Sequence, residues 1–143
     1  MPHPLYVAVA QRADHYCEYC RAPERLSGYA FEVEHIIPTA RGGANNLDNT
    51  ALAGGLCNRA KGVRVQARDP QTGVVVPLFN PRQDDWRDHF TWRVDFTVIE
   101  GLTPTGRATV AALRLNTVRR RDARVFWRAL SEIGIGEPPF QWP

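Results

Sequence analysis

Lysine is almost absent from this chain: of 18 basic residues in 143, only Lys61 is a lysine, and every other one is an arginine. Cysteine is nearly as scarce, with Cys17, Cys20 and Cys57 alone. An odd count so small excludes a disulfide framework of the kind that staples small secreted domains. No apolar run approaches the roughly 20 residues of a membrane span, so no transmembrane segment is expected. Met1-Pro2-His3-Pro4 lacks the basic and apolar stretches of a signal peptide, and the expectation is a cytoplasmic protein. What remains is ordinary for a globular fold: 43% hydrophobic and 23% charged residues, in a chain long enough to bury a core.

The net charge of +3 is mild, but the charge is unevenly placed. Seven arginines (Arg107, Arg114, Arg119, Arg120, Arg121, Arg124 and Arg128) lie between Thr103 and Leu130 against the single acid Asp122. A second basic stretch holds Arg59, Lys61, Arg64 and Arg68. Arginine's planar fork suits phosphate oxygens, and clusters of this kind are footprints for nucleic acid. Arg59, Lys61, Arg64, Arg119, Arg120, Arg121 and Arg124 are therefore the expected nucleic-acid-binding residues. A solvated helix face, in a genome rich in arginine codons, is the plainer reading of the same pattern.

Hydrophobic periodicity predicts a short helix from Leu5 to His15, then the C-x-x-C turn of Cys17 and Cys20. Phe31–Ile37 alternates and reads as a strand ending at Pro38. Arg41–Asn49 is a loop by its glycines and asparagines, and Thr50 to about Val63 is alanine-rich and helix-compatible. Further on, a turn at 69–73 leads to a strand at Val74–Val76, and Phe90 to Val98 alternates as one half-buried strand. Thr103-Pro104 is an N-cap followed by proline at the first helical position. Helical pattern runs on to about Ile133, with a break near Asn116-Thr117, and Gly134 begins an irregular tail. The expected division is 1–68 and 69–143, packed as one compact unit.

Chemistry concentrates between Val33 and Lys61. Glu34-His35 puts a carboxylate beside an imidazole at a strand end; Asn49 and Asn58 follow His35 at 14 and 23 residues (49 − 35 and 58 − 35). Alone, none of these pieces means anything, because such dipeptides arise by chance. In order they do. Glu34-His35-Ile36-Ile37-Pro38, Gly42-Gly43, Asn46-Leu47-Asp48-Asn49 and Cys57-Asn58-Arg59-Ala60-Lys61-Gly62 resemble the signature of HNH endonucleases.

The resemblance implies an α+β fold: a ββα-metal core, preceded by a helix and a zinc-knuckle-like turn, and followed by a β-hairpin and an arginine-rich helical region. It implies metal-dependent hydrolysis of DNA phosphodiester bonds, with His35 as general base. Glu34 and Asn58 would hold one Mg²⁺ or Mn²⁺ ion, and Asn49 would brace the loop and the base. Cys17, Cys20 and Cys57 would be three ligands of a structural Zn²⁺. The fourth is missing, because Gly54 stands where the family pattern places a cysteine; His15 is the nearest substitute, His3 could reach only if the N-terminus folds back, and a water could also complete the site. The alternative reading of the whole is a nucleic-acid-binding module that keeps the scaffold without the activity. The sequence leaves the oligomeric state open.

Overall fold

The structure, a computed structural model, describes residues 2–135. Helix α1 (Tyr6–Arg12) turns Val9 and Ala10 into the core. Asp14 and His15 then reverse the chain in left-handed conformations, with φ of 50° and 61°. The C-x-x-C turn closes behind them: Cys17 N–H donates to Ala22 O at 2.9 Å and Arg21 N–H to Cys17 O at 2.9 Å.

Strand β1 (Glu32–His35) pairs antiparallel with β2 (Thr50–Ala53), with Glu34 opposite Ala51 and His35 opposite Thr50. Helix α2 (Gly55–Lys61) follows at once and packs on β1. The expected helix from Thr50 to Val63 is thus corrected: its first four residues are a strand. All four are buried, so β2 shows no alternation between a wet and a dry face, and a short run of small apolar residues cannot be told from helix by its pattern. The Cys17–Cys20 turn is sewn to β2 from both sides. Glu18 N–H donates to Leu52 O at 2.8 Å, and Leu52 N–H donates to the Glu18 carboxylate at 2.8 Å.

Strands β3 (Gln66–Arg68) and β4 (Val75–Pro77) form a hairpin around the 69–73 turn. Buried Asp69 organises that turn, taking Gln71 N–H and Thr72 Oγ1–H, and it receives the Arg107 fork at 2.9 Å from both Nε and Nη2. Helix α3 (Trp86–His89) leads into β5 (Phe90–Arg93), which pairs with β6 (Val98–Gly101). The single strand expected from Phe90 to Val98 is therefore two strands. The chain reverses at Val94-Asp95-Phe96, all left-handed (φ 49°, 56° and 64°). The alternation runs through this turn without structural meaning, since Val94 is 70% exposed. Helices α4 (Pro104–Ala112) and α5 (Val118–Glu132) begin where expected, capped by the Thr103 and Thr117 hydroxyls. The irregular tail beyond Ile135 lies outside the described residues.

One cluster of buried side chains runs from Val9 through Cys17, Tyr19, Leu52 and Cys57 to Phe79, Trp86, Ile99 and Leu115. No described helix is long and apolar enough to cross a membrane.

Candidate active site

In a strand, residues two apart share a face, so Glu32 and Glu34 of β1 point one way and His35 the other. The face carrying the two glutamates is covered by α2. There the helix presents Asn58 and Lys61, one turn apart: Asn58 Nδ2 donates to Glu32 Oε2, and Lys61 Nζ donates to Glu34 Oε1 at 2.6 Å. The two pairs differ sharply in burial. Glu32 is exposed and Asn58 half-buried, whereas Glu34 and Lys61 are each 2% exposed.

Both oxygens of Glu34 are engaged, the second by the hydroxyl of buried Tyr19 at 2.7 Å. Burial pushes the Glu34 carboxyl above its ordinary value, and the Lys61 ammonium and Tyr19 hydroxyl oppose that rise. Lys61 also donates to Ile36 O at 2.9 Å and lies 3.5 Å from His35 O. It thereby ties α2 to the backbone that carries the imidazole. Glu34, expected as a metal ligand, is thus closed inside a three-residue clamp, and Lys61, expected to contact phosphate, is the buried cation of that clamp.

His35 is half-buried, and its Nε2 meets Asn45 Oδ1 at 2.9 Å. The His3 ring stands edge-on to it, 5.7 Å between centroids. Asn45 belongs to a loop that Asn49 closes. Asn49 Oδ1 accepts Ile37 N–H at 2.9 Å, and its Nδ2 donates to Ile37 O at 2.9 Å and Ala44 O at 2.8 Å. Asn49 thus ties the loop through the backbone around the site and does not touch the imidazole. Gly43 makes the closure possible: a Cβ there would stand 1.7 Å from Ile37 O and 2.8 Å from Asn49 Nδ2. Gly43→Ala should therefore push the loop off Ile37 and lower stability by about 1–3 kcal/mol. Thermal melting checks this, and a variant melting as wild type would mean that the loop adjusts freely.

Cys17, Cys20 and Cys57 are buried, and their sulfurs lie within 4.8 Å of one another. As a test of fit to zinc, three soft donors converge and a fourth is wanting. His15 does not supply it, since neither of its ring nitrogens lies with the three sulfurs; its Nδ1 meets Glu24 Oε1 at 2.6 Å instead. The divalent ion that the resemblance implies would take hard oxygen donors. At this surface those donors are Asn58 and Glu32, with Glu34 turned inward.

Arg120 and Arg124 are likewise corrected, being 9% and 3% exposed. Arg120 Nη1 donates to Cys57 Sγ at 3.3 Å; Arg124 Nη1 donates to Thr97 O at 2.8 Å and its guanidinium lies over the Trp92 ring. Amphipathic spacing could not have flagged either, because on α5 these two arginines are buried while the apolar Val118, Val125 and Phe126 are exposed. Arg59, Arg64, Arg119 and Arg121 are exposed. The first three, with Arg114 and Leu56, line a groove of about 780 Å³ between α2 and the α4–α5 junction.

Sequence reading missed Glu32, Asn45 and Tyr19. Glu32 was findable, sitting two residues before Glu34 on the same strand face. Asn45 lay in a run of asparagines with nothing to single it out, and Tyr19 carries no signal beyond being apolar.

No curated protein and no solved structure matches the chain. One family model does match: residues 17–64, from the first cysteine of the turn to just past α2 and about a third of the chain, are similar to the HNH endonuclease family.

Proposed function

We propose that this protein hydrolyses phosphodiester bonds in DNA with His35 as general base. The observation that carries this reading is the contact between His35 and Asn45. With the amide oxygen accepting, the neutral imidazole carries its hydrogen on Nε2 and its lone pair on Nδ1, the form a general base needs. A water beside Nδ1 gives up its proton to that nitrogen as its oxygen attacks phosphorus; the bond from phosphorus to the 3′ oxygen breaks, and the leaving oxygen takes a proton from solvent. The exposed Arg59, Arg64, Arg119 and Arg121 hold the phosphate backbone.

A bound Mg²⁺ or Mn²⁺ would neutralise charge on the phosphate and on the leaving oxygen. Asn58 would be one ligand, and Glu32, the carboxylate beside it at the surface, the other. Turning the Asn58 amide over would bring its oxygen next to Glu32. Glu32→Gln should then weaken Mn²⁺ binding by more than about tenfold, since even residues that merely support a ligand are worth roughly 10–100-fold. Free Mn²⁺ measured by electron paramagnetic resonance reads this directly, and unchanged affinity would return the role to Glu34.

The test of the function itself is plasmid nicking by the purified protein with Mg²⁺ or Mn²⁺. The enclosure of Glu34 is the one feature that favours the second reading, a binding module on a nuclease scaffold. Inactivity across several divalent ions, with DNA binding retained, would establish that reading instead.

A further inference from the structure

The three-cysteine centre departs from a closed zinc site at one corner. Structural zinc is almost always four-coordinate, yet Gly54 offers no side chain, and among the described residues no other histidine, cysteine or carboxylate converges with the three sulfurs. The corner is not blocked. A Cβ on Gly54 would touch the Phe31 ring at 3.6 Å, an ordinary contact. What approaches the sulfurs is a cation from far along the chain, Arg120 of α5, which donates Nη1 to Cys57 Sγ at 3.3 Å while 9% exposed.

A buried guanidinium needs an acceptor of negative character, and among the described residues no carboxylate is paired with Arg120. Sulfur meets that need. Conversely a guanidinium has five donors and no lone pair to give, so it can hold sulfurs together but cannot complete a metal shell. Arg124, one turn along, brings a second cation into the same region and satisfies its own donors with carbonyl oxygens.

We propose that this centre is metal-free and capped by Arg120, whose guanidinium supplies the charge and the cross-link that zinc and a fourth cysteine would otherwise supply. The cap ties α5 to Cys57, the residue before Asn58, and so steadies the helix that presents the site. The inference stands whether or not the protein cuts DNA.

The experiment uses the full chain, produced with zinc in the medium and then dialysed against EDTA. Expected are fewer than about 0.1 zinc ions per chain, a melting temperature unmoved by the chelator, and no sulfur-to-metal absorption on adding Co²⁺. Arg120→Met should melt about 5–10 °C lower, because it strips the acceptor of its donor and the cluster of its tie. Arg120→Lys, which keeps the charge without the planar fork, should fall between and serves if the methionine variant does not fold. Gly54→Cys combined with Arg120→Ala should gain one tightly held Zn²⁺ and a four-thiolate Co²⁺ spectrum. One zinc in the wild type with chelator-sensitive melting would overturn the proposal. So would Arg120 variants that melt as wild type, or a double variant that takes up no metal.

Discussion

Lys61→Met should remove about 3–5 kcal/mol of stability, a large share of the roughly 5–15 kcal/mol that holds a domain of this size together. The reasoning begins from burial. Glu34 and Lys61 are each 2% exposed and 2.6 Å apart, so neither charge has water to fall back on once the other is gone. Methionine fills the space of the lysine stem but leaves Glu34 with the Tyr19 hydroxyl alone and frees the Ile36 carbonyl. Urea denaturation measures the loss, and a change below about 1 kcal/mol would show that the pair contributes nothing net.

The pH dependence sharpens this first prediction. Burial already lifts the Glu34 carboxyl above its ordinary value with Lys61 present, and without Lys61 it rises further. A carboxyl with a raised folded-state value binds its proton more readily in the folded state, so its contribution is present below the unfolded value and is lost as pH rises through the folded one. The deficit of Lys61→Met should therefore shrink as pH falls toward about 4.3, the ordinary glutamate value. Adding Glu34→Leu should recover much of the stability at neutral pH, since replacing both partners by apolar groups leaves no charge stranded.

His35→Ala should lower the rate of metal-dependent nicking by about 10²–10⁴-fold, the usual contribution of a positioned general base, while leaving melting nearly unchanged. His35 is half-buried, and its side-chain neighbours are Asn45 and His3, so its removal opens no core cavity. A rate loss without a stability loss separates chemistry from scaffolding. A variant that nicks as fast as wild type would remove His35 from the reaction.

Much of the site was legible in the sequence because its logic is local. Asn49 closes a loop of a dozen residues, and the turn of Cys17 and Cys20 is written in adjacent positions. The N-cap Thr103 could likewise be read from the proline that follows it. The errors lie where burial decides. Glu34 and Lys61 carry the charges expected of a ligand and a phosphate contact, and only the packing of α2 and Tyr19 over β1 turns them into a clamp. Arg120 and Arg124 belong to an arginine-rich run whose composition is blind to which side of a helix faces inward. In β2 the cause is the same, for a strand covered on both faces loses the alternation that identifies strands.

The indole of Trp86 donates to Tyr19 O at 2.9 Å, and Phe79 stands edge-on to the Tyr19 ring. Both residues come from beyond the segment that carries the HNH motifs. A fragment cut at residue 64 would keep every motif and lose the wall on which the Tyr19–Glu34–Lys61 clamp rests. The border of the recognisable pattern is thus not a border at which the chain can be dissected, and the later half is part of the mould in which the earlier half is cast.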